Sequence, residues 1–172
     1  MTLKDTKTAL GVSEVRCNAG GRSKGTVGPG GKDEVTSAEV EKSKENCRGL
    51  KVCESESIKE VKAIHLPWKT ELFETESAIQ DKIEGTGGGA GWKVVCSAAF
   101  VGERTDECEA ETGKPEIATL TNAVTSGVLL VKGVFLNRRK AKCTEGGKES
   151  GEVTGTFAIL LANGNGLSIN TK

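Results

Sequence analysis

The chain has few of the residues on which most catalytic and nucleic-acid-binding proteins depend. Its 172 residues include no tyrosine, aromatic residues make up 3%, and His65 is the single histidine. Lys plus Arg and Asp plus Glu number 24 each, so the formal net charge is zero. The chain therefore lacks the net positive charge of a general nucleic-acid-binding protein, and for the same reason we expect no electrostatic docking on anionic membranes.

Long apolar runs are missing as well. No stretch approaches the ~20 apolar residues of a transmembrane helix, and residues 1–7 contain no apolar signal-peptide core. No Asn-x-Ser/Thr sequence occurs, so we expect no N-glycosylation. Glycine, by contrast, is abundant at 23 residues. This composition predicts many turns and a thin core.

Six cysteines are dispersed along the chain, at Cys17, Cys47, Cys53, Cys96, Cys108 and Cys143. No Cys-x-x-Cys pair occurs and the chain has one histidine, so it lacks the closely spaced ligands of the usual zinc sites. We therefore predict no metal and no cofactor. The even number favours three disulfides and an oxidising compartment. The alternative is six reduced cysteines that act as small core residues. We therefore expect a secreted or cell-surface protein whose native precursor carries an export leader absent from this sequence.

Six cysteines allow fifteen pairings, of which one set is favoured. Cys96 and Cys108 flank one predicted turn, at residues 102–106, which indicates a bond across a hairpin. Cys47–Cys53 and Cys17–Cys143 would complete that set.

A cysteine-glycine motif occurs twice, with the pattern Cys-x2-Gly-Gly-x3-Gly-x-Val. Its first copy runs from Cys17 to Val27 and its second from Cys143 to Val153. We interpret each copy as a strand ending at cysteine, a Gly-Gly turn, and a second strand. The Cys17–Cys143 bond would then link the two units.

Turn signals recur every 8–12 residues or so, which is typical of an all-β sandwich or barrel. We predict one antiparallel, disulfide-stabilised β-sandwich domain over residues 1–172, with jelly-roll and immunoglobulin-like topologies as alternatives. Residues 60–84 are predicted as strands with an edge position or bend at Pro67. Further strands are predicted at 92–99, 116–123, 128–135, 157–161 and 167–170, a hairpin turn at 163–166, and an exposed loop or short helical turn at 41–46.

Four segments of the sequence resemble a group of secreted, Cys/Gly-rich actinobacterial proteins that are mostly described as hypothetical. The matching segments are residues 17–29, 46–53, 66–72 and 87–96. The resemblance covers roughly residues 3–170 and consists of turn and disulfide residues. It implies an exported β-rich domain, and it supplies no catalytic residues.

Candidate reactive groups each have a simpler structural interpretation. The glycine-rich residues 85–91 precede a predicted strand, so we expect a hairpin loop and not a phosphate-binding loop. His65 lies in no nucleophile motif and is interpreted as a structural strand residue. Trp68 and Trp92 are candidate binding residues for a sugar or partner, provided that they are exposed.

Two carboxylate groupings are further candidate sites. One comprises Glu71, Glu74, Glu76, Asp81 and Glu84, two of which could serve as a glycosidase pair, although a solvated strand face is favoured. The other comprises Asp106, Glu107 and Glu109, which offer hard oxygen ligands for calcium without an EF-hand pattern. The basic cluster of Arg138, Arg139, Lys140 and Lys142 is interpreted as a charged edge strand.

Three functions remain open from the sequence. The favoured one is a non-catalytic extracellular or cell-surface structural protein that assembles with itself by β-strand pairing. The second is an extracellular module that binds a glycan or a protein, and the third is a small secreted hydrolase. We expect no enzyme activity, no nucleic-acid partner and no transmembrane segment.

Overall fold

A computed structural model describes residues 1–7, 12–18, 21–41, 43–51, 58–98, 102–111, 115–125, 128–135 and 141–159. These residues form fifteen strands and two short helical turns, a 3₁₀ turn (Pro29–Gly31) and α1 (Ser43–Asn46). All strand pairs within the described residues are antiparallel, so the all-β prediction is confirmed. The strands are β1 (Thr2–Asp5), β2 (Val12–Cys17), β3 (Gly21–Val27), β4 (Lys32–Val40), β5 (Cys47–Lys51), β6 (Ile58–Ile64), β7 (Trp68–Glu74), β8 (Ile79–Glu84), β9 (Gly91–Ala98), β10 (Gly102–Glu109), β11 (Glu116–Thr125), β12 (Val128–Phe135), β13 (Ala141–Cys143), β14 (Gly147–Thr154) and β15 (Thr156–Ile159).

Hydrogen bonds join the described strands in one open sheet. Its order is β15-β12-β11-β8-β7-β4-β6-β9-β10-β13-β14-β1-β2-β5, and β3 pairs with β4 off this path. The strands therefore do not form the two separate sheets by which a sandwich is normally recognised. No helix among the described residues has the length and hydropathy to cross a membrane.

The sheet branches where β6 gives way to β7. Both strands pair with β4, but β6 continues to β9 on its other side whereas β7 continues to β8. His65, with φ 58°, and the cis bond between Leu66 and Pro67 stand between them. Two arms result: a first arm of β9, β10, β13, β14, β1, β2 and β5, and a second arm of β8, β11, β12 and β15. The interruption predicted at Pro67 is confirmed.

Residues 85–90 connect the second arm to the first. The prediction of a hairpin loop here is wrong, because β8 pairs with β7 and β11 while β9 pairs with β6 and β10. The loop is held at the branch by Thr86, whose N–H donates to the carbonyl oxygen of His65 at 2.8 Å and whose hydroxyl donates to that of Pro67 at 2.7 Å.

Two hydrophobic clusters make up the core of the described sheet. The first-arm cluster consists of Leu3, Val15, Cys17, Val40, Cys47, Ile58, Val61, Val94 and Cys96. The second-arm cluster consists of Ala38, Ala63, Trp68, Ile83, Ala90, Ala118, Leu120 and Val131. Trp92 packs against both clusters. Small side chains dominate both lists, as the low aromatic content predicted.

Disulfides are present, but the predicted pairings are wrong. Cys17 bonds to Cys47 and Cys108 bonds to Cys143, each with a Cα–Cα distance of 4.0 Å. In both bonds the cysteines lie directly opposite each other on neighbouring antiparallel strands. These bonds replace the expected Cys96–Cys108, Cys47–Cys53 and Cys17–Cys143 pairs. Cys96 is also disulfide-bonded, and Cys53 lies outside the described residues.

The Cys96–Cys108 prediction failed because the strand boundaries differ from those expected. Residues 102–106 belong to β10 and not to a turn. In the resulting register Cys96 lies opposite Arg104, and Cys108 lies opposite Trp92. The two cysteines are therefore in neighbouring strands but several residues out of register.

The two strands predicted for the repeat are confirmed in both copies, whereas residues 19–20, in the turn of the first copy, lie outside the described residues. One strand ends at Cys17 or Cys143, and the next begins at Gly21 or Gly147. Their pairing differs, because β13 and β14 form a hairpin whereas β2 pairs with β1 and β5, and β3 pairs with β4. The units are thus alike along the chain and different within the sheet.

Several other predictions can be compared with the structure. The strand at 128–135 and the helical turn within residues 41–46 are confirmed. The strand predicted at 157–161 is described up to Ile159. The predicted turn at 163–166, the strand at 167–170 and the basic residues 138–140 lie outside the described residues.

Candidate functional site

The most exposed element of the described chain is β3. All seven of its residues are exposed, and Val27 retains 55% of its accessible surface. β4 pairs with it along its whole length, from Gly21 opposite Val40 to Val27 opposite Asp33. Among the described strands β4 is its one partner. Its second edge therefore offers backbone N–H and C=O groups that no described strand uses, as edge strands do.

Local sequence fixes β3 against β4. A bulge lies between Lys24 and Gly25, and a side chain at Gly25 would overlap the backbone of Glu34. The ladder ends where the N–H of Gly28 donates to Asp33 Oδ1 at 2.9 Å. Glycine at position 25 thus permits a close approach that a larger residue would prevent.

Charged side chains on β3 limit which strands can pair with its second edge. Arg22 Nε lies 3.2 Å from Glu41 Oε2 and both side chains are solvent-exposed, so this ion pair contributes little to stability. Lys24 is exposed on the same strand. Edge lysines oppose indiscriminate pairing, so any partner strand must avoid placing a like charge opposite them.

The two candidate tryptophans lie together at the sheet branch. Trp68 is buried, with 5% of its surface exposed, and its Nε1 donates to the carbonyl oxygen of Ile64 at 2.8 Å. Trp92 is partly buried and meets Trp68 edge to face, with ring centroids 5.6 Å apart. Trp68 therefore does not meet the condition of exposure on which its binding role depended.

His65 occupies the branch itself and not a strand, contrary to the sequence interpretation. Its φ of 58° is a left-handed conformation that is costly for a residue other than glycine. Its Nε2 lies 2.9 Å from Glu109 Oε2, and a side chain at Gly88 would contact its ring at 2.6 Å. The pair connects the branch to β10 of the first arm, which is a bracing role.

The five carboxylates that could have supplied a glycosidase pair are divided between the interior and the surface. Asp81 is buried, whereas Glu71 and Glu84 are exposed. Glu84 Oε1 lies 2.8 Å from Lys82 Nζ, and Glu71 lies opposite Lys82 in the register. The other four carboxylates are solvent-exposed, with Glu71, Glu74 and Glu84 on strands and Glu76 in the turn between β7 and β8.

Burial raises the pKa of Asp81 to about 7, and the negative charge of Asp33 adds to the effect. Hydrogen bonds from the Thr70 side chain and the Glu71 backbone oppose the rise. One oxygen of Asp81, Oδ1, is buried without a hydrogen-bond partner in the described structure. The sequence analysis named Asp81 among five candidate carboxylates but favoured a solvated face for the group, so its burial was not predicted.

The three carboxylates considered for calcium also separate. Glu107 and Glu109 lie on one face of β10, where Glu107 Oε1 is 3.7 Å from Lys93 Nζ and Glu109 contacts His65. Asp106 lies on the other face with 3% of its surface exposed. Burial raises its pKa to about 7, the hydrogen bond from the Glu145 backbone opposes the rise, and the charges of Asp5 and Glu145 together with a hydrogen bond to Asp5 add to it. These three residues do not form one oxygen site.

Asp106 lies instead beside the Cys108–Cys143 disulfide. The ligand-type atoms of these three residues fall within 4.8 Å of one another. Asp5, which the sequence did not single out, contributes a second buried carboxyl group there.

Comparison of the chain with protein-family models, with curated proteins and with solved structures gave no match. The resemblance to secreted actinobacterial proteins stays a prediction.

Proposed function

We propose that the protein is a non-catalytic extracellular or cell-surface structural protein that self-associates by pairing of β3 strands. The observation that carries the proposal is the exposure of all seven residues of β3 together with its one-sided pairing to β4. Addition of a strand to such an edge is an established mode of protein recognition. The two arms of the sheet, each of which has its own hydrophobic cluster, would form a sandwich-like body that carries the β3 edge.

A two-fold antiparallel pairing centred on Gly25 suits this edge best. It places Lys24 of each copy opposite Thr26 of the other and Ser23 opposite Val27. A pairing centred on Lys24 would place two lysines opposite each other, which is unfavourable. The Gly25-centred register also covers Val27, the most exposed large apolar residue of the strand.

An extracellular location is consistent with the cysteine chemistry. The described cysteines are all disulfide-bonded, in two cases across directly opposed strand positions. Such bonds persist in oxidising compartments. An exported protein of the kind that the sequence resembles would meet this requirement.

The competing functions have less support. A binding module built on the two tryptophans needs them at the surface, and Trp68 is buried. A hydrolase needs catalytic groups that converge on one site, whereas Asp81 is buried and the neighbouring glutamates are exposed to solvent. Strand pairing requires only the backbone edge that β3 presents.

Two charge variants of Thr26 test the proposal in opposite directions. Thr26→Glu would place a carboxylate of each copy opposite Lys24 of the other and so create two attractive pairs in the dimer, and Thr26→Lys would create two repulsive pairs. At about 0.2–1 kcal/mol per exposed pair, we expect association to strengthen roughly 2- to 30-fold in the first variant and to weaken comparably in the second. Sedimentation velocity over a range of protein concentrations measures the change.

Folding stability distinguishes this effect from damage to the protomer. Thr26 lies opposite Glu34 within the sheet, so Thr26→Lys should slightly stabilise the protomer while it weakens association. Thr121, an exposed residue of β11, provides matched control variants to Glu and Lys. Self-association that is absent, or that responds equally at Thr26 and Thr121, would refute strand pairing at β3.

A further inference from the structure

The Cys108–Cys143 disulfide lies in a polar environment that the Cys17–Cys47 disulfide does not share. Cys17 and Cys47 belong to the first-arm hydrophobic cluster. Cys108 Sγ lies 3.8 Å from Asp106 Oδ2, and because both cysteines are oxidised this contact is not a thiol hydrogen bond. The two disulfides therefore have the same Cα spacing but different neighbours.

A second buried carboxyl group completes this environment. Asp5 is 2% exposed; its Oδ1 accepts a hydrogen bond from the N–H of Lys7 at 3.1 Å, and its Oδ2 is buried without a partner in the described structure. A side chain at Gly146 would overlap the Asp5 carboxyl group, so this glycine allows the turn to close over it. A buried carboxylate oxygen is costly unless a proton, a water or an ion satisfies it. The side chains of Asp5 and Asp106 share a hydrogen bond when a proton lies between them, so the two carboxyl groups converge beside the disulfide.

Space for a ligand is present at the same place. A cavity of about 10 Å³ lies beside these groups, and Asp5, Asp106 and Cys108 line it together with apolar side chains that include Trp92 and Val94, whereas Cys143 does not line it. That volume is about the size of one water molecule, so it can accommodate a single metal ion.

The distances match those of a metal site once the disulfide opens. With Zn–S near 2.3 Å and Zn–O near 2.1 Å, tetrahedral ligands lie about 3.6 Å (S to O) and about 3.8 Å (S to S) apart. The Asp106–Cys108 contact of 3.8 Å is already close to the first value. The ligand-type atoms of Asp106, Cys108 and Cys143 lie within 4.8 Å of one another, and metal binding requires the two covalently bonded sulfur atoms to separate.

We propose that, when the Cys108–Cys143 disulfide is reduced, Asp106, Cys108 and Cys143 bind a thiophilic divalent ion such as Zn²⁺, with a carboxyl oxygen of Asp5 as fourth ligand. A thiol reductant supplies two electrons and is itself oxidised to a disulfide, while Cys108 and Cys143 take up two protons. Metal binding then releases both thiol protons and any proton held between Asp106 and Asp5, and the two thiolates and the carboxylates become ligands. Oxidised protein holds the crosslink, and reduced protein holds the metal.

A redox titration with and without metal tests the proposal in the intact chain. Protein is equilibrated in a thiol–disulfide buffer, with the free Zn²⁺ concentration set by a metal buffer, and the reduced fraction at each cysteine is measured by alkylation and mass spectrometry. Binding to the reduced form multiplies its reduced-to-oxidised ratio by one plus the ratio of free Zn²⁺ to its Kd, which is about 100-fold at 100 times the Kd. We expect that increase at Cys108–Cys143 and none at Cys17–Cys47, the internal control.

Matched variants separate ligation from nonspecific thiol binding. Asp106→Asn and Asp5→Asn keep both cysteines and should each lower the metal effect at least about tenfold, whereas Glu107→Gln, on the opposite face of β10, should leave it unchanged. Reduced protein should also bind one Co²⁺ with a thiolate charge-transfer absorption band that is lost in Cys108→Ser/Cys143→Ser. An equal zinc response at both disulfides, or an unchanged response in Asp106→Asn and Asp5→Asn, would overturn the proposal.

Discussion

Replacement of Asp81 by asparagine should make the protein more stable at neutral and alkaline pH. Asp81 is 5% exposed on β8, and its Oδ1 has no hydrogen-bond partner among the described groups. Asparagine has nearly the same shape and can still accept the hydrogen bonds from Thr70 and the Glu71 backbone. The substitution therefore removes a buried negative charge and retains its contacts.

The size of the effect follows from the pKa of Asp81, which rises from 3.8 to about 7 on folding. Since the folded state holds the Asp81 proton more tightly, the contribution of Asp81 to the free energy of unfolding is highest below about pH 4. This contribution falls as the pH rises toward 7 and is level above it. At 1.36 kcal/mol per pKa unit the full loss is about 4 kcal/mol. About 2.5 kcal/mol of that loss falls between pH 5 and pH 8.

Chemical unfolding monitored by tryptophan fluorescence measures these quantities, with disulfides intact, at about pH 5 and about pH 8. We expect Asp81→Asn to exceed the wild type by roughly 2–4 kcal/mol at the higher pH and by less at the lower pH. Asp33→Asn removes the neighbouring like charge, which is the second cause of the raised pKa, and should reduce the pH dependence in part. Glu76→Gln, at an exposed turn, should change stability by no more than about 0.5 kcal/mol at either pH.

Asp106 contributes to the pH dependence in the same direction. The test therefore concerns the difference between wild type and Asp81→Asn, in which the contribution of Asp106 cancels. If that difference were the same at both pH values, Asp81 would not titrate in the interval and the reasoning would be wrong.

Two packing predictions can be tested by the same unfolding assay. Gly133→Ala would drive a methyl group into the Phe157 ring and should lower the free energy of unfolding by roughly 1–3 kcal/mol. Gly21→Ala is the control, because that position has open space and the substitution should be nearly neutral. Equal effects of the two substitutions would contradict the packing at Gly133. Trp68→Phe removes the hydrogen bond to the Ile64 carbonyl and shortens the ring that meets Trp92 edge to face, so we expect a loss of roughly 1–3 kcal/mol. An unchanged unfolding midpoint would argue against a stabilising role of these contacts.

Local patterns in the sequence were sufficient to predict many of the strands. Alternation and turn residues located β12 and the interruption at Pro67, because both depend on neighbouring residues along the chain. They did not predict the branch of the sheet. Its geometry depends on β4 pairing with both β6 and β7, and on a loop from residue 85 to 90 that crosses between the arms.

Buried polar groups could not be predicted by the same means. Asp5 and Asp106 are distant in the sequence, and each occurs in a strand where alternation would allow a polar face. The order β10-β13-β14-β1 places two further strands between them in the sheet, and yet both carboxyl groups line one cavity. A carboxyl pair of this kind depends on the tertiary arrangement of the strands and on no local pattern.

The repeated motif shows most clearly where local sequence stops determining structure. Cys17 and Cys143 each end a strand, and each bonds to the residue directly opposite on a neighbouring antiparallel strand. What the motif encodes is thus the position of cysteine at a strand end, where a neighbouring strand can present a second cysteine. Which strand becomes that neighbour depends on the sheet order, since β2 meets β5 while β13 meets β10. The same local motif therefore serves one disulfide in an apolar cluster and another beside two carboxyl groups, and this difference in surroundings is what gives the two bonds different chemistry.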